Sequence, residues 1–160
     1  MGKFMMNTAK HLKKLNLLFW PKKMCSSAKM QKKCNNQRAV IATIIFSSFI
    51  GTYLDLIFVG NQMYAFPARQ FPDVFTINIA FTLIILPIFT VLFLRITKTL
   101  PPLLRILLFI LIGLCIGISE QFFEKLGWFT HSEAWYHSYS FFGYIIFMFL
   151  IWKFYRWLAK

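Results

Sequence analysis

The chain has 160 residues, of which 58% are hydrophobic, 19% aromatic and only 14% charged, and its net charge is +13. This composition is too apolar for a soluble domain of this length and indicates an integral membrane protein. The positive excess lies in the N-terminal tail and beside the apolar runs, so we interpret it as charge that orients helices and contacts anionic lipid. It does not indicate a nucleic-acid-binding surface.

The first 38 residues form a basic tail that contains no acidic residue. Between Phe4 and Trp20 the apolar residues recur on one helical face, and Pro21 ends the pattern. This pattern predicts an amphipathic helix on the inner leaflet of the membrane. A disordered tail, or a true start at Met24 or Met30, are alternatives that the sequence leaves open. The lysines assigned to lipid contact are Lys10, Lys13, Lys14, Lys22 and Lys23.

Four apolar segments follow the tail, and each is long enough to cross a hydrocarbon core of about 30 Å as a helix. They predict an all-α fold, an integral membrane four-helix bundle in the domain 39–160. The predicted spans are 39–59, 74–94, 103–123 and 140–157.

Two features of the spans predict local geometry. Pro87 should kink the second span by freeing the carbonyl of Leu83. Gly113 and Gly117 are four residues apart in the third span, where they allow close approach of a partner helix. That helix belongs either to the same chain or to a second copy in a homo-oligomer.

The distribution of charge predicts the orientation of the spans. Sixteen of the 18 Lys and Arg residues fall in the tail, in the connection between the second and third spans, or at the C-terminus. The opposite side carries Arg69 and Lys125 together with the acidic residues. Because positive charge is retained on the cytoplasmic side, both termini are expected to be cytoplasmic.

Polar residues recur near the predicted outer ends of the spans. Glu120 and Glu124 are one helical turn apart in the third span, and Asp55 lies near the outer end of the first. Ionisable groups are costly in a membrane and therefore count as functional candidates. We expect them to line a polar outer vestibule, as candidate sites for a ligand or proton, together with Arg69, Asn78, Glu133 and His137.

Some of these residues also suggest a metal site. Carboxylate and imidazole ligands from facing helices suit divalent zinc, manganese or iron. The candidates are His131, His137, Glu133 and Glu124. No HExxH or ExxH motif is present, and a structural or proton-sensing role for the same groups is the alternative interpretation. No cofactor is otherwise expected.

The two predicted outer loops are rich in aromatic residues, which we interpret mainly as a belt at the level of the lipid headgroups. The alternative is a groove for a lipid or an apolar small molecule. The three cysteines are not placed for an extracellular disulfide or a zinc site.

The motif string TYLDLIFVG, YAFPARQFPDVF, INIAFTLIILP, EKLGWFTHSEAWYHSYSFFGY and WKFYRW resembles a family of small, uncharacterised multi-pass membrane proteins of spore-forming Gram-positive bacteria. The resemblance covers the chain from about Thr52 to its C-terminus. In that family, Asp55, Arg69, Trp135 and His137 match the shared pattern. The resemblance implies a membrane location and no particular activity.

These observations predict a non-enzymatic binding, sensing or scaffold module. No glycine-rich phosphate loop, serine elbow or Walker motif is present, and no catalytic residue is assigned. A small transporter or ion- or proton-coupled carrier that uses the outer acidic groups is the first alternative, and a membrane metalloenzyme is the second.

Overall fold

The computed structural model describes residues 28–133 and 135–160. The tail lysines predicted to contact lipid, Lys10, Lys13, Lys14, Lys22 and Lys23, lie outside the described residues. The chain divides after Gln37, and the unit Arg38–Lys160 carries every side-chain contact discussed below.

The described residues form four α-helices, a short π-helix and one pair of very short strands. The α-helices are α1 (Ala28–Gly60), α2 (Leu86–Thr99), α3 (Pro102–Lys125) and α4 (His137–Leu158). A π-helix, Phe81–Ile85, leads directly into α2. The strands β1 (Tyr64–Ala65) and β2 (Thr130–His131) pair antiparallel.

In the part of the chain that the structure describes, four helical segments are long and apolar enough to cross a membrane: Met30–Gly60, Phe81–Thr99, Pro102–Lys125 and His137–Leu158. The prediction of a mainly helical chain with four such segments is therefore confirmed. The second begins later than the predicted start at 74, because residues 71–75 form turns in which Val74 and Phe75 donate to the carbonyl of Phe71.

The π-helix lies immediately before the mid-span proline. Leu86 donates its backbone N–H to the carbonyl of Phe81, five residues earlier, instead of to the residue four earlier. Pro87 follows and has no N–H to donate, so the regular pattern of α-helical hydrogen bonds cannot run through this point. The disturbance expected at Pro87 thus takes the form of a wider helical turn.

Contacts along α3 and α4 establish their relative direction. Glu120 and Glu124 of α3 meet His137 at the start of α4, and Arg105 of α3 lies over the ring of Trp152, 4.3 Å from its centroid. The two helices therefore run antiparallel. We call the end that carries His137 the loop end, because the β1–β2 pair connects the loop after α1 to the loop after α3 at this end.

Buried hydroxyl groups form hydrogen bonds along the apolar helices, either between two helices or within one. Ser47 of α1 and Thr90 of α2 share a hydrogen bond of 2.6 Å, and both side chains are buried. The buried hydroxyls of Thr43, Thr90 and Thr97 donate to carbonyls four residues earlier on their own helices. These hydroxyls therefore serve helix packing, as is usual in membrane helices.

Candidate functional site

Three side chains from three elements converge at the loop end. Glu124 lies in the last turn of α3, His131 lies on β2, and His137 is the first residue of α4. One ligand atom from each lies within 4.8 Å of the others. The structure thus brings together three of the four predicted metal ligands. The fourth, Glu133, is exposed and does not belong to this group.

The two histidines face the two oxygens of one carboxylate. His131 Nε2 lies 3.1 Å from Glu124 Oε1, and His137 Nε2 lies 3.6 Å from Glu124 Oε2. On the other side of the His137 ring, Nδ1 lies 3.6 Å from Glu120 Oε2. Both histidine side chains are partly accessible, at 22% and 28%, so an ion could reach them.

The hydrogen bond of His131 determines which of its nitrogens is free. His131 Nδ1 lies 2.9 Å from the carbonyl oxygen of Ser132, and a carbonyl only accepts hydrogen bonds, so Nδ1 carries the proton. In the neutral ring, Nε2 then presents a lone pair toward Glu124. Two lone pairs facing each other at 3.1 Å repel, so a proton or a metal ion is required between them.

The β1–β2 pair positions His131. His131 pairs with Tyr64 in register, and the backbone N–H and hydroxyl of the next residue, Ser132, both donate to the carbonyl of Met63 at 3.0 and 3.2 Å. The loop after α1 thereby fixes the loop that carries this ligand. Such support outside the ligand set is what holds metal-binding side chains in place.

An aromatic cluster is built around Tyr64 of β1. Tyr64, Phe129 and Trp135 are buried, and the Tyr64 ring lies 5.0 Å from Trp135 and 5.4 Å from Phe129 between centroids. These three rings therefore form a packed core, which differs from the headgroup belt expected for the loops. Other loop aromatics are exposed, including Phe71, Trp128 and Tyr136.

Asp55 lies next to this aromatic cluster and is bonded to it. Tyr64 donates its hydroxyl to Asp55 Oδ1 at 2.7 Å, and the other oxygen, Oδ2, is buried without a hydrogen-bond partner. Burial, followed by the adjacent Asp55 carboxylate, raises the pKa of Tyr64 above its ordinary value, so the phenol remains a donor.

Two predicted vestibule residues have other roles in the structure. Arg69 donates to the carbonyls of Phe66, Pro72 and Phe75 at 2.9, 3.2 and 2.7 Å, so it fastens its own loop. Asn78 Oδ1 accepts the backbone N–H of Phe81 at 3.2 Å, which satisfies a donor at the beginning of the π-helix. Neither residue lies among the groups that surround His137.

The sequence did not reveal Tyr64 as the partner of Asp55, or the Ser132 carbonyl as the partner of His131. Tyr64 lies in the loop after α1, and it is held near Asp55 by the pairing of β1 with β2. A two-residue strand has no sequence periodicity by which it could be predicted.

We expect Tyr64→Phe to lower the free energy of unfolding by about 1–3 kcal/mol, because the aromatic packing remains while Asp55 loses its donor. Thermal unfolding in detergent, followed by circular dichroism, measures this change. Tyr53→Phe is the matched control, because Tyr53 is an exposed residue of the same helix as Asp55. Equal stability of the two variants would contradict a structural role for the Tyr64–Asp55 hydrogen bond.

Comparison with known proteins adds no relative to this picture. The chain matches no protein-family model, and no curated protein or solved structure is detectably similar to it. The resemblance to membrane proteins of spore-forming bacteria therefore stays a prediction from the motif string.

Proposed function

We propose that the protein is a multi-pass membrane protein that binds a divalent transition-metal ion through Glu124, His131 and His137. The convergence of these three ligand atoms within 4.8 Å carries the proposal. In this proposal the protein is a binding or sensing module of a bacterial cell membrane, with both termini cytoplasmic and the loop end outside.

The chemistry of the donor set favours a borderline metal ion. Two imidazole nitrogens and one carboxylate are ligands for zinc, iron or manganese, whereas calcium and magnesium prefer oxygen ligands alone. Three protein ligands leave at least one coordination position for water or another small ligand. The two histidine nitrogens lie 3.1 and 3.6 Å from the Glu124 oxygens, close to the spacing of about 3.3 Å that tetrahedral coordination at zinc–ligand distances of about 2.0–2.1 Å requires between neighbouring ligand atoms.

The charge around the site supports a cation. Glu120 and Glu124 both lie at this end of α3, where each has an oxygen 3.6 Å from a nitrogen of His137. Arg69 donates to loop carbonyls and forms no ion pair with either glutamate. A metal ion between the two histidines and Glu124 would offset this negative charge and separate the facing lone pairs.

The buried hydroxyl groups between the helices favour a binding protein over a carrier. The buried hydroxyls of Thr43, Thr90 and Thr97 are each bonded to their own helix, so they contribute to packing instead of lining a polar path below the site. Metal-dependent flux into proteoliposomes that is lost in Glu120→Gln would instead favour the carrier.

The first test is the metal content of the detergent-purified protein, measured by elemental mass spectrometry before and after dialysis against a chelator and reloading with zinc. We expect close to one zinc ion per chain in the reloaded protein. The double variant His131→Ala, His137→Ala should retain none. An empty reloaded protein would reject the metal site and leave proton binding by the histidines as the explanation of their geometry.

The orientation is tested separately by cysteine labelling. Single cysteines at Thr130 and Lys160, in a chain whose three native cysteines are replaced, should react from opposite sides of the membrane with a membrane-impermeant reagent. This expectation follows from the clusters of Lys and Arg at the end opposite the loop end, including Lys98, Arg105 and Arg156. Labelling of both positions from the same side would refute the topology.

A further inference from the structure

We propose that Glu120 is a positioning residue: it holds His137 in the orientation in which Nε2 faces the metal ion, without itself binding the ion. This inference rests on the proposed metal site and assigns a role to a carboxylate outside the ligand set. It also explains why two glutamates one turn apart face one histidine.

The His137 ring lies between two carboxylates of the same helix. Its Nδ1 is 3.6 Å from Glu120 Oε2, and its Nε2 is 3.6 Å from Glu124 Oε2. Residues four apart share one face of a helix, so Glu120 and Glu124 both point toward the start of α4. The two nitrogens of His137 therefore have different partners, and only the Glu124 side belongs to the group of ligand atoms.

The environments of the two carboxylates also differ. The Glu120 side chain is 16% exposed, whereas that of Glu124 is 37% exposed, so an ion arriving from water meets Glu124 first. Glu120 Oε2 and His137 Nδ1 are both buried without a hydrogen-bond partner, although they face each other. Their separation exceeds a hydrogen bond by about half an ångström, so a small movement on metal binding would satisfy both atoms at once.

The carboxylate of Glu120 selects the tautomer of His137. An ionised carboxylate only accepts hydrogen bonds, so it favours a proton on the nitrogen that faces it, Nδ1. The lone pair is then on Nε2, toward Glu124. His131 reaches the same state through the Ser132 carbonyl, and both rings therefore present Nε2 to one point. A carboxylate or carbonyl behind each histidine is the usual way in which proteins orient imidazole ligands.

The test compares two substitutions of equal length at Glu120. Glu120→Gln keeps an oxygen that can accept the Nδ1 proton, whereas Glu120→Met keeps a similar volume and accepts almost no hydrogen bond. Glu133→Met is the matched control, because Glu133 is an exposed glutamate outside the ligand group. The zinc dissociation constant is measured by competition with a chelating dye, and the melting temperature of the metal-free protein is measured in parallel.

We expect Glu120→Met to weaken zinc binding about 10- to 100-fold, the usual effect of losing such a partner. Glu120→Gln should recover most of the affinity, and Glu133→Met should match the unmodified protein. Unchanged affinity in Glu120→Met would overturn the positioning role and leave the metal site intact. Equal losses in the Gln and Met variants would also overturn it, because the charge or packing of Glu120 would then be what matters. Absence of zinc binding in the unmodified protein would reject the metal site itself.

Discussion

Saturating zinc is expected to raise the melting temperature of the detergent-solubilised protein by about 5–10 °C. A ligand that binds only the folded state at 100 times its dissociation constant adds about 2.7 kcal/mol of stability. For a chain of this size, each kcal/mol corresponds to a shift of about 2–4 °C. The ligands lie on α3, β2 and α4, so one ion would connect the two helices and the loop between them.

The same experiment on single variants identifies the ligands. In His131→Ala the zinc-dependent rise in melting temperature should disappear, because the two remaining ligands, Glu124 and His137, hold an ion only weakly. His11→Ala is the matched control, since His11 is the remaining histidine of the chain and is not among the proposed ligands. A rise that persists in His131→Ala but disappears in His11→Ala would place the zinc site in the tail and reject the site at the loop end.

Much of the helical architecture could be predicted because it depends on local sequence properties. Length and apolarity indicate a potential membrane span without reference to the rest of the chain, so four such helices were predicted and are present. The helix starts were less predictable. The second segment begins at Phe81 because a turn at Phe71 and the side chain of Asn78 determine its start, and neither changes the hydropathy of the sequence.

The candidate site could be predicted only in part, for a related reason. The spacing of Glu120 and Glu124 places both on one helical face, which is a local property. Whether His131 or Glu133 joins them depends on the course of a loop, and the loop is positioned by pairing with residues near Tyr64, far away in the sequence. The vestibule was predicted as one group, whereas the structure uses Arg69 and Asn78 to organise the first loop and the π-helix.

Replacement of Gly113 by leucine is expected to separate α3 from α4. A Cβ atom at Gly113 would lie 3.2 Å from the Ile145 and Phe141 side chains and from the Phe141 carbonyl oxygen. The carbonyl belongs to the backbone of α4 and cannot rotate away, so this part of α4 must shift by at least a few tenths of an ångström. Overpacking of this kind costs about 1–3 kcal/mol. The contact also shows that the glycine pair predicted to admit a partner helix uses Gly113 within the chain.

Gly117→Leu is the matched control, because a Cβ atom there would meet no atom within 4 Å. Both changes replace glycine with the same helix-favouring residue, so the gain in helix propensity, about 1 kcal/mol at most, is shared. We therefore expect Gly113→Leu to unfold at a lower temperature than Gly117→Leu and to bind zinc more weakly. The weaker binding follows because the ligand Glu124 is on α3 and the ligand His137 is on α4, so separating the helices separates these two ligands. Equal melting temperatures would mean that α3 and α4 do not pack through Gly113, and the geometry proposed for the metal site would lose its support.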